Sequence, residues 1–298
     1  MVSPMGAERR EGCVRVSAIP GPSARGATLR AEAITFGGVV ERNWYLIKRY
    51  FWWELAFFIW SLANTLTIVF IAKGIKAAGG QIDVNRATTT LLIGAVIWSY
   101  LGIVFEFMTE TVAWERWEGT IEYTFMAPLR RSVHLFGVGA FAVLYGVVRS
   151  AILFAVVATF FGLNMPDANF LAAILVLTVA SFSFMGVGTM TSVLPLISPE
   201  KGAQLGFVAQ GTLLVISGVY YPVSVLPAWM QWLSTISPAT YALRGIRRAL
   251  LDGGGVGAVW GDIWPLMIIG AAAMPLGLWV FRRGEVYAKK HGKLKRSG

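Results

Sequence analysis

Three carboxylates, Glu115, Glu118 and Glu122, recur at helical spacing beside a second set, Trp114, Trp117, Ile121 and Phe125. One side of residues 110–128 is therefore acidic and the other aromatic and apolar. The chemistry on offer is recognition by charge. An interfacial anchor carries Lys and Arg on its polar side. Anionic lipid attracts each such cation by roughly 1 kcal/mol and would repel this face. The carboxylates should point to water or to another protein, either as a solvated loop helix or as a docking element. Gly119-Thr120 interrupts the pattern, which predicts two short helices with a joint. Pro128, followed by Arg130 and Arg131, closes it.

Arg149 is the other charge that stands out. It lies near the middle of an apolar run, where insertion costs about 2.5–3.5 kcal/mol. No acidic residue is obviously placed at similar depth on another span. Arg149 either snorkels and caps carbonyls between helices, or it faces a wet route and attracts an anionic part of a cargo, such as a phosphate.

Other chemistry is thinly supplied. Cys13 is the single cysteine, and His134 and His291 are the two histidines, far apart in sequence. A cysteine metal site is excluded, the histidines read as structural, and no metal is expected. The Gly253–Gly257 run lacks the lysine of a phosphate cradle. No catalytic residue is assigned, and one arginine with two distant histidines does not make a membrane enzyme's polar cluster.

Hydrophobic residues make up 56% of the 298, charged residues 14%, and the mean hydropathy is +0.61. Soluble domains average about 25% charged, so the composition is that of a membrane protein. The net charge of +10 sits at the two ends and beside apolar runs, as membrane topology uses it. A nucleic-acid partner is not expected.

The elements that must hold these residues follow in order. Residues 1–35 read as a disordered cytoplasmic tail without the apolar core of a secretory signal. Val40, Trp44, Ile47 and Phe51, with Arg42, Lys48 and Arg49 opposite, predict an N-terminal amphipathic interfacial helix anchored by Trp44, Lys48 and Arg49. Six transmembrane helices are expected within 36–282, at about 51–72, 87–108, 133–161, 169–194, 203–220 and 262–281. Glu54 and Glu106 lie near span ends, and the span interiors hold no aspartate. Between spans five and six, Pro222, Pro227 and Pro238 break the chain into short outer re-entrant helices. There Tyr220, Tyr221, Trp229 and Trp232 form either an aromatic gate or a plain interfacial belt. Residues 283–298 form a basic cytoplasmic tail. Arg244, Arg247 and Arg248 oppose the positive-inside bias, yet six spans with both termini cytoplasmic is the consistent count.

The run Glu115-Arg-Trp-Glu-Gly-Thr-Ile-Glu-Tyr, with Pro128 after it, resembles the first cytoplasmic loop of type-2 ABC exporter permeases. Downstream, the segment Ile216–Arg244, with its Pro-Val-Ser, Leu-Pro and Ser-Pro-Ala-Thr-Tyr landmarks, is similar to that family's outer segment between its last two spans. Both occur in the right order. The resemblance implies an all-α membrane permease that docks a separate nucleotide-binding ATPase subunit through Glu115, Glu118, Gly119, Thr120, Glu122 and Pro128. It implies a second copy of the chain, with ATP and Mg held by the partner and no cofactor here. It also implies a bacterial-type inner membrane and an amphiphilic drug, lipid or glycan-type cargo carried outward. Trp117 stands where that family commonly has a charge, so the docking cleft should be more apolar. The competing reading is an ion-coupled secondary transporter or a channel that does not use ATP.

Overall fold

The computed structural model describes residues 25–77, 84–127, 129–162 and 167–294, and every element in them is helical. Helix α1 (Arg25–Arg49) turns at Tyr50 into α2 (Phe51–Ala77), and α3 runs unbroken over Val84–Glu118. A short α4 (Ile121–Met126) precedes α5 (Arg131–Phe161), α6 (Phe170–Thr191), α7 (Val193–Ile197) and α8 (Gly202–Ile216). A 3-10 turn (Val223–Val225), α9 (Ala228–Ile236) and α10 (Pro238–Leu251) lead to α11 (Val256–Lys290).

Among the described residues, five helices are long and apolar enough to cross a membrane, within Phe51–Ile71, Arg86–Glu118, Arg131–Phe161, Phe170–Ile197 and Val256–Lys290. The chain is thus an all-α, multi-pass membrane protein. The span expected at 203–220 corresponds to α8, whose 15 residues give about 22 Å of helix against a hydrocarbon core of about 30 Å. It stops at Ile216 because Gly218 adopts φ 66° and Pro222 follows. Two boundaries also move. Residues 25–35, expected in a disordered tail, belong to α1, and residues 283–290, expected in the basic tail, complete α11. The rest of the N-terminal tail and Lys295 and Arg296 lie outside the described residues.

The core forms where α6 meets α11, with α3 against the other side of α6. Small residues let α6 and α11 approach closely. A Cβ on Gly277 would sit 2.7 Å from the Gly186 carbonyl oxygen, and one on Gly186 would sit 2.8 Å from Met274 N. Ser183 donates to the Leu266 carbonyl at 2.7 Å across the same contact. Hydroxyl pairs at 2.6 Å, Tyr100 with Ser181 and Thr109 with Thr191, join α3 to α6. Around these lie Leu101, Val104, Phe105, Met108, Phe184 and Leu266, all essentially inaccessible. Helix α2 is different, since it turns Trp52, Ile59, Phe70 and Ile71 outward. That is the composition expected of a face covered by lipid or by another apolar helix.

Candidate functional site

The joint predicted at Gly119 is present, and its geometry explains why the chain bends there. Gly119 has φ 74°, its N–H bonds the Arg116 carbonyl at 3.0 Å, and the Thr120 N–H reaches back to the Glu115 carbonyl at 2.8 Å. This pair of bonds closes the end of α3 on a left-handed glycine. The first of the two expected short helices is in fact the tail of α3, so residues 110–118 extend a spanning helix directly.

The side chains of this elbow do not point as their spacing predicts. Glu115 is 1% exposed, with its Oε1 3.2 Å from both Arg42 Nη1 and His134 Nε2. Arg42 Nη2 also donates to Thr120 Oγ1 at 3.2 Å. Glu118 accepts from Arg49 Nη1 at 3.3 Å and from the Tyr50 hydroxyl. Two of the three carboxylates, Glu115 and Glu118, therefore face inward, onto α1, because α1 brings its own arginines to them. That correction has a physical reason: two carboxylates turned from water need cations, and helical periodicity alone cannot show that α1 supplies them. The Tyr50 hydroxyl is held above its usual pKa chiefly by its bond to Glu118.

What the elbow leaves outside is Trp117 (59% exposed), Glu122, Tyr123 (79%) and Met126 (84%). Ile121 and Phe125 are buried beneath them. Of the expected docking residues, only Glu122 is directed outward. Gly119 and Thr120 form the joint, and Pro128 lies outside the described residues. Further bonds tie the elbow to the bundle. Arg116 donates to the carbonyls of Leu196 and Lys293 at 3.3 and 2.5 Å, and Arg131 to the Thr124 carbonyl at 2.7 Å and to Glu285 at 3.2 Å. Arg130 pairs with Glu32 at 2.8 Å. Of the expected anchor residues, Trp44, Lys48 and Arg49 are all exposed on α1, and Lys48 lies 5.0 Å from the Trp44 ring.

A cavity of about 780 Å³ opens between α1–α2 and the facing sides of α3, α5 and α8. Its wall mixes aromatic side chains, Trp53, Phe57, Trp98, Phe107, Phe207 and Tyr220 among them, with polar ones. Arg149 lines it. It does have an acidic partner, however: Glu54 on α2, at 3.6 Å. The Tyr145 hydroxyl donates to the same Glu54 carboxylate at 2.5 Å. Glu106 and Glu110 line the cavity on α3. Sequence order hid this cluster, because Glu54 stands near the start of its span and Arg149 mid-run on another.

Of the remaining expected route residues, Tyr220 joins this cavity. Tyr221 lines a separate cleft of about 450 Å³ at the end of the bundle remote from the elbow. Trp229 and Trp232 line neither and stand 66% exposed on α9. Near that cleft Asp262, inside α11 and 0% exposed, accepts from Arg244 Nε and from Arg248 Nη1, the latter at 2.9 Å. An aspartate does stand within a spanning helix, and two of the arginines that opposed the charge bias are its partners. Burial lowers the pKa of the third, Arg247, from the usual arginine value.

A family model described as "ABC-2 type transporter" matches residues 39–251. The chain is 27% identical over 175 residues to "Probable multidrug ABC transporter permease YbhR" of Escherichia coli (strain K12), covering 58% of this chain and 46% of that protein. It is 27% identical over 158 residues to "ABC transporter G family member 20" of Dictyostelium discoideum, covering 52% and 21%. It is 27% identical over 223 residues to "Nodulation protein J" of Sinorhizobium fredii (strain NBRC 101917 / NGR234), covering 72% and 84%. The chain spans about half or less of the length of the first two relatives.

Proposed function

The chain belongs to the ABC-2 type transporter family, and from that premise we propose that it is the permease subunit of an ATP-driven exporter. In this reading a separate ATPase subunit docks on the elbow, holding the ATP and Mg, and a second copy of the chain completes the permease. Helix α8 serves as the sixth crossing and both termini are cytoplasmic, in a bacterial-type inner membrane. The observation that carries the reading is the elbow itself. Its surface is the apolar patch of Trp117, Tyr123 and Met126 around Glu122, while its inner side is bonded to α1, to α5 and to the turn that follows α11. Exposed aromatics and methionine beside polar groups are what a protein interface buries. A force applied there reaches helices that line the cavity.

The cargo proposed is amphiphilic, a drug, lipid or glycan-type molecule with apolar faces for the aromatic side chains of the wall. The word multidrug in one relative's name supports this class. Arg149 is a weaker argument for an anionic cargo than the sequence suggests, because Glu54 offsets its charge.

The test is to co-express the chain with candidate ATPase subunits from its own organism, to purify any complex, and to measure ATP turnover with the chain present and absent. Tyr123→Asp with Met126→Asp should weaken the complex about ten-fold or more, while the chain's own unfolding midpoint stays put. Unchanged binding by this pair would refute elbow docking. A second reading, an ion-coupled carrier, is favoured by the ionisable residues Glu54, Glu106 and Arg149 on the cavity wall. Transport by the purified chain alone, driven by an ion gradient without ATP, would select it.

A further inference from the structure

The cleft at the remote end is not used by the reading above. Thr240, Arg244 and Arg247 recur at helical spacing on one face of α10, with Arg248 beside them, while Ala239, Ala242, Leu243, Ile246 and Ala249 bury the other face. All four polar side chains line the 450 Å³ cleft. Asp262, buried on α11 behind the lining, takes one bond from each of Arg244 and Arg248 and so fixes how both guanidinium groups lie. Arg247 is fixed independently, through bonds to the carbonyls of Gly218 and Val219 at 3.2 and 2.5 Å.

Two buried atoms on this wall, Arg247 Nε and Thr240 Oγ1, have no hydrogen-bond partner among the described residues. Most oxygens nearby are committed already. The Ser217 and Ser237 hydroxyls pair at 2.7 Å, Tyr221 donates to the Val215 carbonyl, and Tyr241 donates to the Thr235 carbonyl. One further carboxylate, Asp252, lines the rim and is bridged at 3.2 Å by Arg86. Among the described residues, Arg244, Arg247 and Arg248 stand on this wall and Asp262 is the aspartate that bonds Arg244 and Arg248, so positive charge exceeds negative there.

We propose that this cleft binds one phosphate-class oxyanion, carried either by an anionic lipid headgroup or by a phosphate-bearing solute. The donors are the guanidinium N–H groups that Asp262 leaves over, together with Thr240. Pre-oriented planar guanidinium forks match phosphate oxygens, and a neutral ligand would leave the excess charge uncompensated. The site is independent of elbow docking, and its tests need no ATPase.

The purified full chain is titrated with glycerol 3-phosphate by calorimetry. In parallel it is placed in nanodiscs of phosphatidylcholine with and without phosphatidylglycerol, and retained lipid is counted by native mass spectrometry. Arg244→Gln should weaken the bound probe about five-fold or more, and Thr240→Val about three-fold. Asp252→Asn at the exposed rim should tighten it, since it removes a competing negative charge while the Asp262 bonds that orient Arg244 and Arg248 stay in place. A purely structural role would lower the unfolding midpoint of these variants without moving anion affinity in opposite directions. Binding of glycerol 3-phosphate alone identifies a solute site, and retention of phosphatidylglycerol identifies a lipid site. No binding of either probe by the folded wild type, or equal affinity in the glutamine and asparagine variants, overturns the proposal.

Discussion

The elbow and the remote cleft solve one electrostatic problem in opposite senses. Each buries a carboxylate, Glu115 at one end and Asp262 at the other, and each neutralises it with arginine from a neighbouring helix. At the elbow the cations sit on α1 and much of the exposed surface is aromatic and thioether. At the remote end the arginines stand 49% and 43% exposed and become the surface. A buried charge fixes geometry in both places, but what covers it decides whether the face suits a protein or an anion.

The largest test of that contrast is Arg42→Ala. It leaves Glu115, 1% exposed, with only the His134 ring beside its carboxylate, and breaking a buried pair costs about 3 kcal/mol. Chemical unfolding in detergent should show the loss. Arg248→Ala should cost about 1 kcal/mol or less by the same measurement, because Arg244 still holds Asp262 and Arg248 is half-exposed. Equal losses would dissolve the distinction between a buried clasp and a surface one.

Smaller still is Tyr123→Ser with Met126→Ser, which should change stability by no more than about 0.5 kcal/mol because both side chains face outward. The smallest effect concerns pH. The folded Tyr50 hydroxyl titrates above the usual value of 10.0 because it donates to Glu118. Its contribution is therefore complete below the unfolded pKa and lost as pH rises through the raised one. Protection factors of α1 amides, with intrinsic base-catalysed exchange divided out, should fall over that alkaline window in the wild type and stay level in Tyr50→Phe.

The sequence made the architecture plain, because long apolar runs and a broken proline-rich segment have few other structural meanings. The joint at Gly119 was legible for the same reason, since a glycine-threonine pair interrupts an otherwise regular pattern. The direction of the carboxylates was not. Helical spacing places Glu115 and Glu118 on one face but carries no information about which helix packs there, and Arg42 lies 73 residues away. The partner of Arg149 was hidden likewise, as Glu54 lies on another helix and becomes its neighbour when α2 folds beside α5. The contraction of the fifth span to 15 residues depended on a left-handed Gly218 that hydropathy does not register.

Helix α3 is a single piece of 35 residues, roughly 52 Å long. Arg86 near its start is tethered to Asp252, while Glu115 and Glu118 near its end are clasped by α1. Between them, the hydroxyl pairs at Tyr100 and Thr109 fasten it to α6. Because unbroken helix joins its two tips, neither tip can be displaced alone without bending the rod.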